Sequence, residues 1–298
     1  MNIEMLLKEL PSAFRKVASV MQPFATSRVT RREQDHWLIR GGGDAPIRIL
    51  LVCHIDTVLP PQWRGVHKGK IYATGLDDRL GFAIGCLALK AYPNVDLLVC
   101  DDEEIGRSSA GNVLPSELAM YGAIIELDRG GNDYVDYGLS GADMQAAMPQ
   151  GIKKGHGAFS DICSLVTPPC GCVNLGVGYQ LAHSVESYAK VRDVAKSLAY
   201  LDTILTSFAG RKFEPCKDDF GGWEDWAYRP LSSLPKGITK GITKYDTWDD
   251  EPDPLSTRLY ECDECQETFL ERDLEEYGGD WLCADCLEFF TAELEDYA

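Results

Sequence analysis

Residues that bind metals or move protons recur along the middle of the chain: His54-x-Asp56, Asp77-Asp78, Asp101-Asp102-Glu103-Glu104, Asp128 and, much later, His183. Imidazole and carboxylate together suit borderline cations such as zinc or manganese, and paired cations commonly share a bridging carboxylate. A carboxylate beside such a pair, ligating neither, can exchange protons with water. Together the pieces read as one dinuclear metal site. Each piece also has an ordinary reading. Adjacent aspartates at a helix start can simply cap it. Four consecutive carboxylates repel one another, which is harmless in water; in an enclosed site a cation must offset them. His156, between Gly155 and Gly157, is either a substrate contact or a surface residue, and His36 and His67 lack a carboxylate context.

These groups need elements to carry them. The apolar run through residues 47–53 reads as a buried strand of a mostly parallel sheet, delivering His54 and Asp56 to its edge. Period-two geometry points both side chains the same way, so Asp56 can orient the His54 ring. Further strands are expected over 28–32, 36–40, 70–73, 95–100, 123–127, 134–139 (beside 123–127) and 172–175. Helices are expected over 1–24 with Pro11 as a break or a new first turn, from 76 with Phe82, Ile84, Leu87 and Leu89 on the apolar face, and over 108–118 and 186–208. Residues 59–63 read as a rigid loop. Asp101–Glu104 and Asp128 then follow strand ends directly, where open α/β sheets build their sites. The fold class is α/β: three layers, αβα, around a mixed, mostly parallel central sheet.

The order of the pieces resembles the zinc-dependent exopeptidase superfamily, which includes aminopeptidases, tripeptidases, carboxypeptidases and aminoacylases. The matching pieces read HIDTV at 54–58, GLDDRLG at 75–81, DDEEIG at 101–106, ELDRG at 126–130 and AHS at 182–184, within residues 45–205. The resemblance implies a phosphorylase/hydrolase-like fold and two active-site Zn2+ ions, with Mn2+ or Co2+ as alternatives. Asp77 would bridge them, His54 and Asp128 completing one ion's ligands and Glu104 and His183 the other's. Asp56 would orient His54, and Glu103 would be the general base that takes a proton from the attacking water. The residues alone leave Glu103 and Glu104 open to exchange of these roles. Tyr179, four positions before His183, is a candidate donor to the oxyanion, or else a packed tyrosine. The gaps from His54 to Asp77 and from Asp128 to His183 are too short for the lid domain of some relatives, and an Asp at 128 leans toward the aminopeptidase-like ones. The expected activity is therefore an aminopeptidase-like exopeptidase on short peptides. An N-acyl amino acid amidase or deacylase is the alternative, and a non-catalytic zinc-module adaptor the second.

Composition bounds the rest. The net charge is −18, and residues 211–298 hold 24 Asp/Glu against 9 Lys/Arg, so the acidity belongs to the tail. It argues against nucleic-acid binding and serves either solubility or a basic partner. The chain reads as a 1–210 catalytic domain, a 211–257 linker rich in acidic residues, aromatics, Gly and Pro, and a 258–298 zinc-ribbon-like module. In that module Cys262-x-x-Cys265 and Cys283-x-x-Cys286 have the spacing of a four-thiolate site for one structural Zn2+; a redox pair is the minor reading. Acidic neighbours favour a protein contact or a self-packing role for it. With no membrane-length apolar run and no export signal, a cytoplasmic location is expected.

Overall fold

Strong β-branched and leucine runs lay down the central strands, and the intervening segments wind into helices that cover them. The computed structural model describes residues 1–21, 28–31, 34–157 and 159–216, with four further strands between residues 259 and 283. The chain divides into two units, Met1–Asp218 and Asp219–Ala298. The first unit opens with α1 (Ile3–Ala13), α2 (Val17–Met21), β1 (Arg28–Arg31), β2 (Gln34–Ile39), β3 (Arg48–His54), β4 (Gln62–His67), β5 (Lys70–Thr74) and α3 (Leu76–Ala91). It continues through β6 (Val95–Cys100), α4 (Pro115–Leu118), β7 (Tyr121–Glu126), β8 (Tyr134–Val135), α5 (Ala142–Ala147) and α6 (Asp161–Ser164). It closes with β9 (Cys172–Leu175), β10 (Tyr179–Gln180), β11 (Tyr188–Lys190) and α7 (Val191–Ser207).

The 7-stranded sheet has the order β1-β2-β6-β3-β7-β9-β8. β6, β3, β7 and β9 run parallel, and the outer strands are antiparallel. Alternation splits the sheet's side chains between two cores. Ile49, Leu51 and Cys53 pack with α1, α3 and α7, while Leu50 and Val52 pack with Ala110, Leu118 and Ile162 on the opposite face. Register matters most for the site. His54 stands opposite Cys100, and Val52 opposite Glu126, so the exits of β3, β6 and β7 lie along one edge. A second, antiparallel sheet, β10-β11-β5-β4, ties the segment before Asp77 to the segment before His183, with Tyr188 opposite Tyr72.

Several elements depart from sequence expectation. Pro11 lies inside α1, and the helix ends instead at Phe14. Gly111 and Pro115 break the expected 108–118 helix into a 3-10 turn (Ser109–Asn112) and α4. The neighbour of β7 is β9; residues 134–139 form only the short β8, which pairs with β9 and then turns at Tyr137 (φ 49°). The start of the expected 186–208 helix is β11, held extended by pairing to β5. β4 has an exposed burial pattern with no apolar run to announce it.

Residues 211–216 run back along the first unit: the Phe213 N–H donates to the Gly122 carbonyl (2.9 Å), and the Phe213 ring is buried. In the second unit β12 (Leu259–Glu261) pairs with β13 (Thr268–Leu270), and β14 (Leu274–Tyr277) with β15 (Asp280–Cys283), both antiparallel. The expected thiolate cluster lies outside the described residues: Cys262, Cys265 and Cys286 are not among them, and Cys283 is described only as backbone.

Candidate metal centre

β3 leads straight into the site. His54, its last residue, is fully buried, and its Nδ1 lies 3.1 Å from the Asp56 carbonyl oxygen and 3.3 Å from Asp56 Oδ1. The main chain of Asp56 thus shares the orienting contact with its carboxylate. Asp56 Oδ2 also accepts from the Glu104 N–H (3.1 Å), tying the exits of β3 and β6 together.

The aspartate pair at 77–78 divides its labour. Asp77 and Asp78 have non-helical backbone, and the peptide between them is cis. Asp78, buried, caps the regular part of α3 by accepting from the Gly81 N–H (2.9 Å). Asp77 turns into the site. Gly81 permits this approach: a Cβ there would stand 2.0 Å from the Leu127 carbonyl oxygen, so no larger residue lets α3 meet the end of β7.

Two donor sets meet on Asp77. His54, Asp77 and Asp128 form one, and Asp77, Glu104 and His183 the other, the ligand atoms within each lying inside 4.8 Å of one another. His54 Nε2 is 3.1 Å from Asp77 Oδ1 and 3.6 Å from Asp128 Oδ1. His183 Nε2 is 3.2 Å from Asp77 Oδ2 and 2.9 Å from Glu104 Oε2. His183 sits in a left-handed backbone conformation (φ 64°), as do Leu181 (51°) and, on the β6 exit, Asp102 (63°). Such strain concentrates where structure is held for a task. Glu103 belongs to neither set; its Oε2 lies 3.9 Å from His54 Nε2.

Electrostatics tests whether cations fit. Burial, reinforced by Asp128, Asp161 and Asp77, pushes Glu103 up to about 8; burial and then Asp77 push Glu104 up to about 7. Burial also raises Asp128, with Asp77 adding to it. Against burial, hydrogen bonds from His183 and His54 hold Asp77 well below the ordinary carboxylate range. The Asp77 hydrogen bond lifts His183 to about 9, and Asp128, Asp56 and Asp77 overcome burial to raise His54. Glu104 Oε1 is buried with no hydrogen-bond partner among the described residues. Crowded carboxylates held off ionisation, an orphaned oxygen and two imidazoles aimed at one aspartate make a donor set that divalent cations fit.

Other residues support this set. The Tyr179 hydroxyl donates to Asp128 Oδ1 (3.0 Å), so its bond goes to a candidate ligand. Asn174 of β9 clamps the same residue, accepting from the Asp128 N–H (3.1 Å) and donating to its carbonyl (2.6 Å). Asn174 also donates to Ser160 Oγ (3.0 Å), whose hydroxyl donates to buried Glu126. The Ser108 hydroxyl donates to buried Asp161. Sequence reading overlooked Asn174; the available signal was one amide inside an otherwise apolar strand. His156 is exposed next to Gly157, which lines the cleft shared by Asp77, Glu103, Glu104 and His183.

No protein-family model matches the chain, and no curated protein does. Among solved structures it is similar to the aminopeptidase PepT of Bacillus cereus, with a TM-score of 0.53 and 13% identity over 70% of this chain and 99% of that one. It is also similar to a tripeptidase of Staphylococcus aureus (TM-score 0.44, 13% identity, 70% and 99% covered). The TET1 peptidase of Pyrococcus horikoshii is a third (TM-score 0.45, 13% identity, 68% and 99% covered). The PepT likeness shows the fold: an α/β domain built on a mixed central sheet.

Proposed function

We propose that this chain is a metal-dependent hydrolase of peptide bonds, an aminopeptidase-like exopeptidase acting on short peptides. The observation that carries the reading is the meeting of two donor sets on the two oxygens of Asp77, with Glu103 beside them and in neither. His54, Asp77 and Asp128 would hold one cation and Asp77, Glu104 and His183 a second, with Asp77 common to both sets. Divalent ions bound there supply the positive charge that acidifies water and stabilises an amide oxygen as it turns anionic. Glu103, free of ligation, takes a proton from the attacking water and returns it to the leaving amine. Asp56 keeps the His54 ring turned toward Asp77. Tyr179 and Asn174 hold Asp128 in place. The fold is one that an aminopeptidase also has, which makes peptides the first substrates to test.

The test is a panel of short peptides with free or acetylated amino ends, given to the purified chain with zinc, manganese or cobalt. Free-amine peptides are expected to be cleaved; cleavage of the acetylated set alone would turn the reading to a deacylase. Glu103→Gln is expected to lower kcat by about 10²–10⁴ with bound metal unchanged. A variant that stays active removes Glu103 from the role of base.

The rest of the chain is organised, on this reading, as the 1–210 catalytic domain, the 211–257 linker and the 258–298 module, whose Cys262, Cys265, Cys283 and Cys286 bind one structural Zn2+. Its support is spacing alone. Three ions per chain are expected, of which a thiol-blocking mercurial releases one.

A further inference from the structure

We infer that Arg129 forms a subsite for a carboxylate of the substrate, placed beside the scissile bond; the inference rests on the hydrolase reading and names its substrate class. Arg129 follows Asp128 directly and lines the same cleft of about 520 Å³ as Asp77, Glu103, Glu104 and His183. It is the one Lys or Arg among the described residues of that cleft, whose other charged walls are carboxylates and a histidine.

The side chain is built in. Asp133 takes the Nε hydrogen on Oδ1 (2.7 Å) and one Nη2 hydrogen on Oδ2 (2.9 Å), a two-point grip that fixes the guanidinium plane. Both partners are pinned by their main chains. The Arg129 carbonyl accepts from the Val177 N–H and the Asp133 carbonyl from the Gly176 N–H, each at 2.8 Å. Gly155 presses against the pair from the other side: a Cβ there would lie 2.0 Å from Asp133 Oδ2 and 2.8 Å from Arg129 Nη2.

A guanidinium has five N–H donors, and Asp133 uses two. Nη1 has no hydrogen bond to any described residue. The free edge, Nη1 with the second Nη2 hydrogen, matches a carboxylate bidentately, and the side chain is about a quarter exposed, open enough to be reached. Lys154, the nearby alternative, is already paired with Asp136. A carboxylate bound here belongs to a dipeptide or tripeptide, either as its terminal α-carboxylate or as an acidic side chain next to the bond cleaved.

The experiment compares three ligands of the metal-loaded protein: a dipeptide, its C-terminal amide, and an amide whose second residue is aspartate. Binding is read by calorimetry on Glu103→Gln, and kcat/KM on the wild-type chain. The free acid is expected to bind on the order of tenfold more tightly than its amide, with the same ratio in kcat/KM. The aspartyl amide recovers that advantage only if the side chain is the source. Arg129→Gln, added to each background, is expected to erase the acid-over-amide ratio. Arg129→Lys, which keeps the charge against Asp133 and loses the fork, is expected to erase most of it and guards against misfolding of the first variant. Equal binding of acid and amide, or a ratio that survives both substitutions, overturns the subsite. If no ligand is cleaved while the binding ratio and its Arg129 dependence hold, the hydrolase reading fails and the carboxylate subsite stands.

Discussion

At the N-terminal ends of β3, β6 and β7, buried Asp96 is enclosed by Arg48 (2.6 and 3.0 Å), Arg40 (2.8 Å), the Tyr121 hydroxyl (2.8 Å) and the Gly41 N–H (2.8 Å). At the C-terminal ends of the same three strands stand Glu103, Glu104, Glu126 and Asp128, with no arginine ion-paired to them among the described residues. Asp96 is held below the ordinary carboxylate range: burial opposes ionisation, but Arg48, Gly41, Arg40 and Tyr121 outweigh it. The four carboxylates at the other end are raised, burial being the leading cause for each. One end is neutralised by arginines from within the chain; at the other, the crowded carboxylates hold on to their protons instead. An acid matched by arginines at a sheet edge is architecture, whereas crowded buried carboxyls with no arginine among them suit a cation that would displace their protons.

Substitutions at the two ends put that contrast at risk. Asp96→Ala strips the partner from two arginines and is expected to cost about 3–5 kcal/mol of stability, read by urea unfolding, with kcat of the folded fraction preserved. Glu104→Gln removes one of the crowded carboxylates and is expected to stabilise the metal-free fold at alkaline pH while abolishing one equivalent of bound metal. If Glu104→Gln destabilises the metal-free chain as Asp96→Ala does, the two ends are alike and the distinction fails.

Next in size is Asn174→Leu, which releases both main-chain groups of Asp128. Metal affinity is expected to fall about 10–100-fold, measured by competition with a chromogenic chelator.

The pH profile separates the ends without mutation. In chelator, folded Glu103 keeps its proton to about 8 and Glu104 to about 7, whereas unfolded glutamates release theirs near 4.5. Folded His183 keeps its proton to about 9, against 6.5 unfolded. All three groups bind more protons folded than unfolded, so stability falls as pH rises from near 4.5 through about 9. The Asp96 contribution has the opposite sign: present above 3.8, it is lost as pH falls through the depressed folded value. Tm in chelator is expected to drop between about pH 6 and about 8.5, and the increment from added zinc to grow over the same window, because metal displaces the retained protons. A Tm that climbs with pH in chelator contradicts the unmatched end.

The smallest expected effect is Tyr179→Phe. Loss of its bond to Asp128 is worth about 0.5–1.5 kcal/mol, a two- to tenfold weaker hold on metal by the same competition measurement. A kcat loss of about 10² or more at unchanged metal affinity instead places the phenol on the reacting oxygen.

Much of the frame was legible in residue order. The runs at 95–100 and 172–175 coincide with β6 and β9, and the run at 47–53 lies one residue from β3, because a strand buried on both faces announces itself by unbroken apolar content. β4 and β11 were not legible. Each is held extended by pairing with β5, and local composition carries no record of a partner many residues away.

The same division runs through the site. By itself the sequence determined the kinds of candidate donor, their order and their attachment to strand exits: His54 at the end of β3, Glu103 and Glu104 after β6, Asp128 after β7. Only the tertiary structure decided that Asp78 caps α3 while Asp77 faces both histidines, that β10 and β11 carry His183 to Asp77, and that Asn174 and Arg129 found their partners. Periodicity encodes which way a side chain points from its own strand. The distance between two side chains on different strands depends on register, on glycine-permitted close approaches and on hydrogen bonds across the fold, which exist only once the chain has closed on itself.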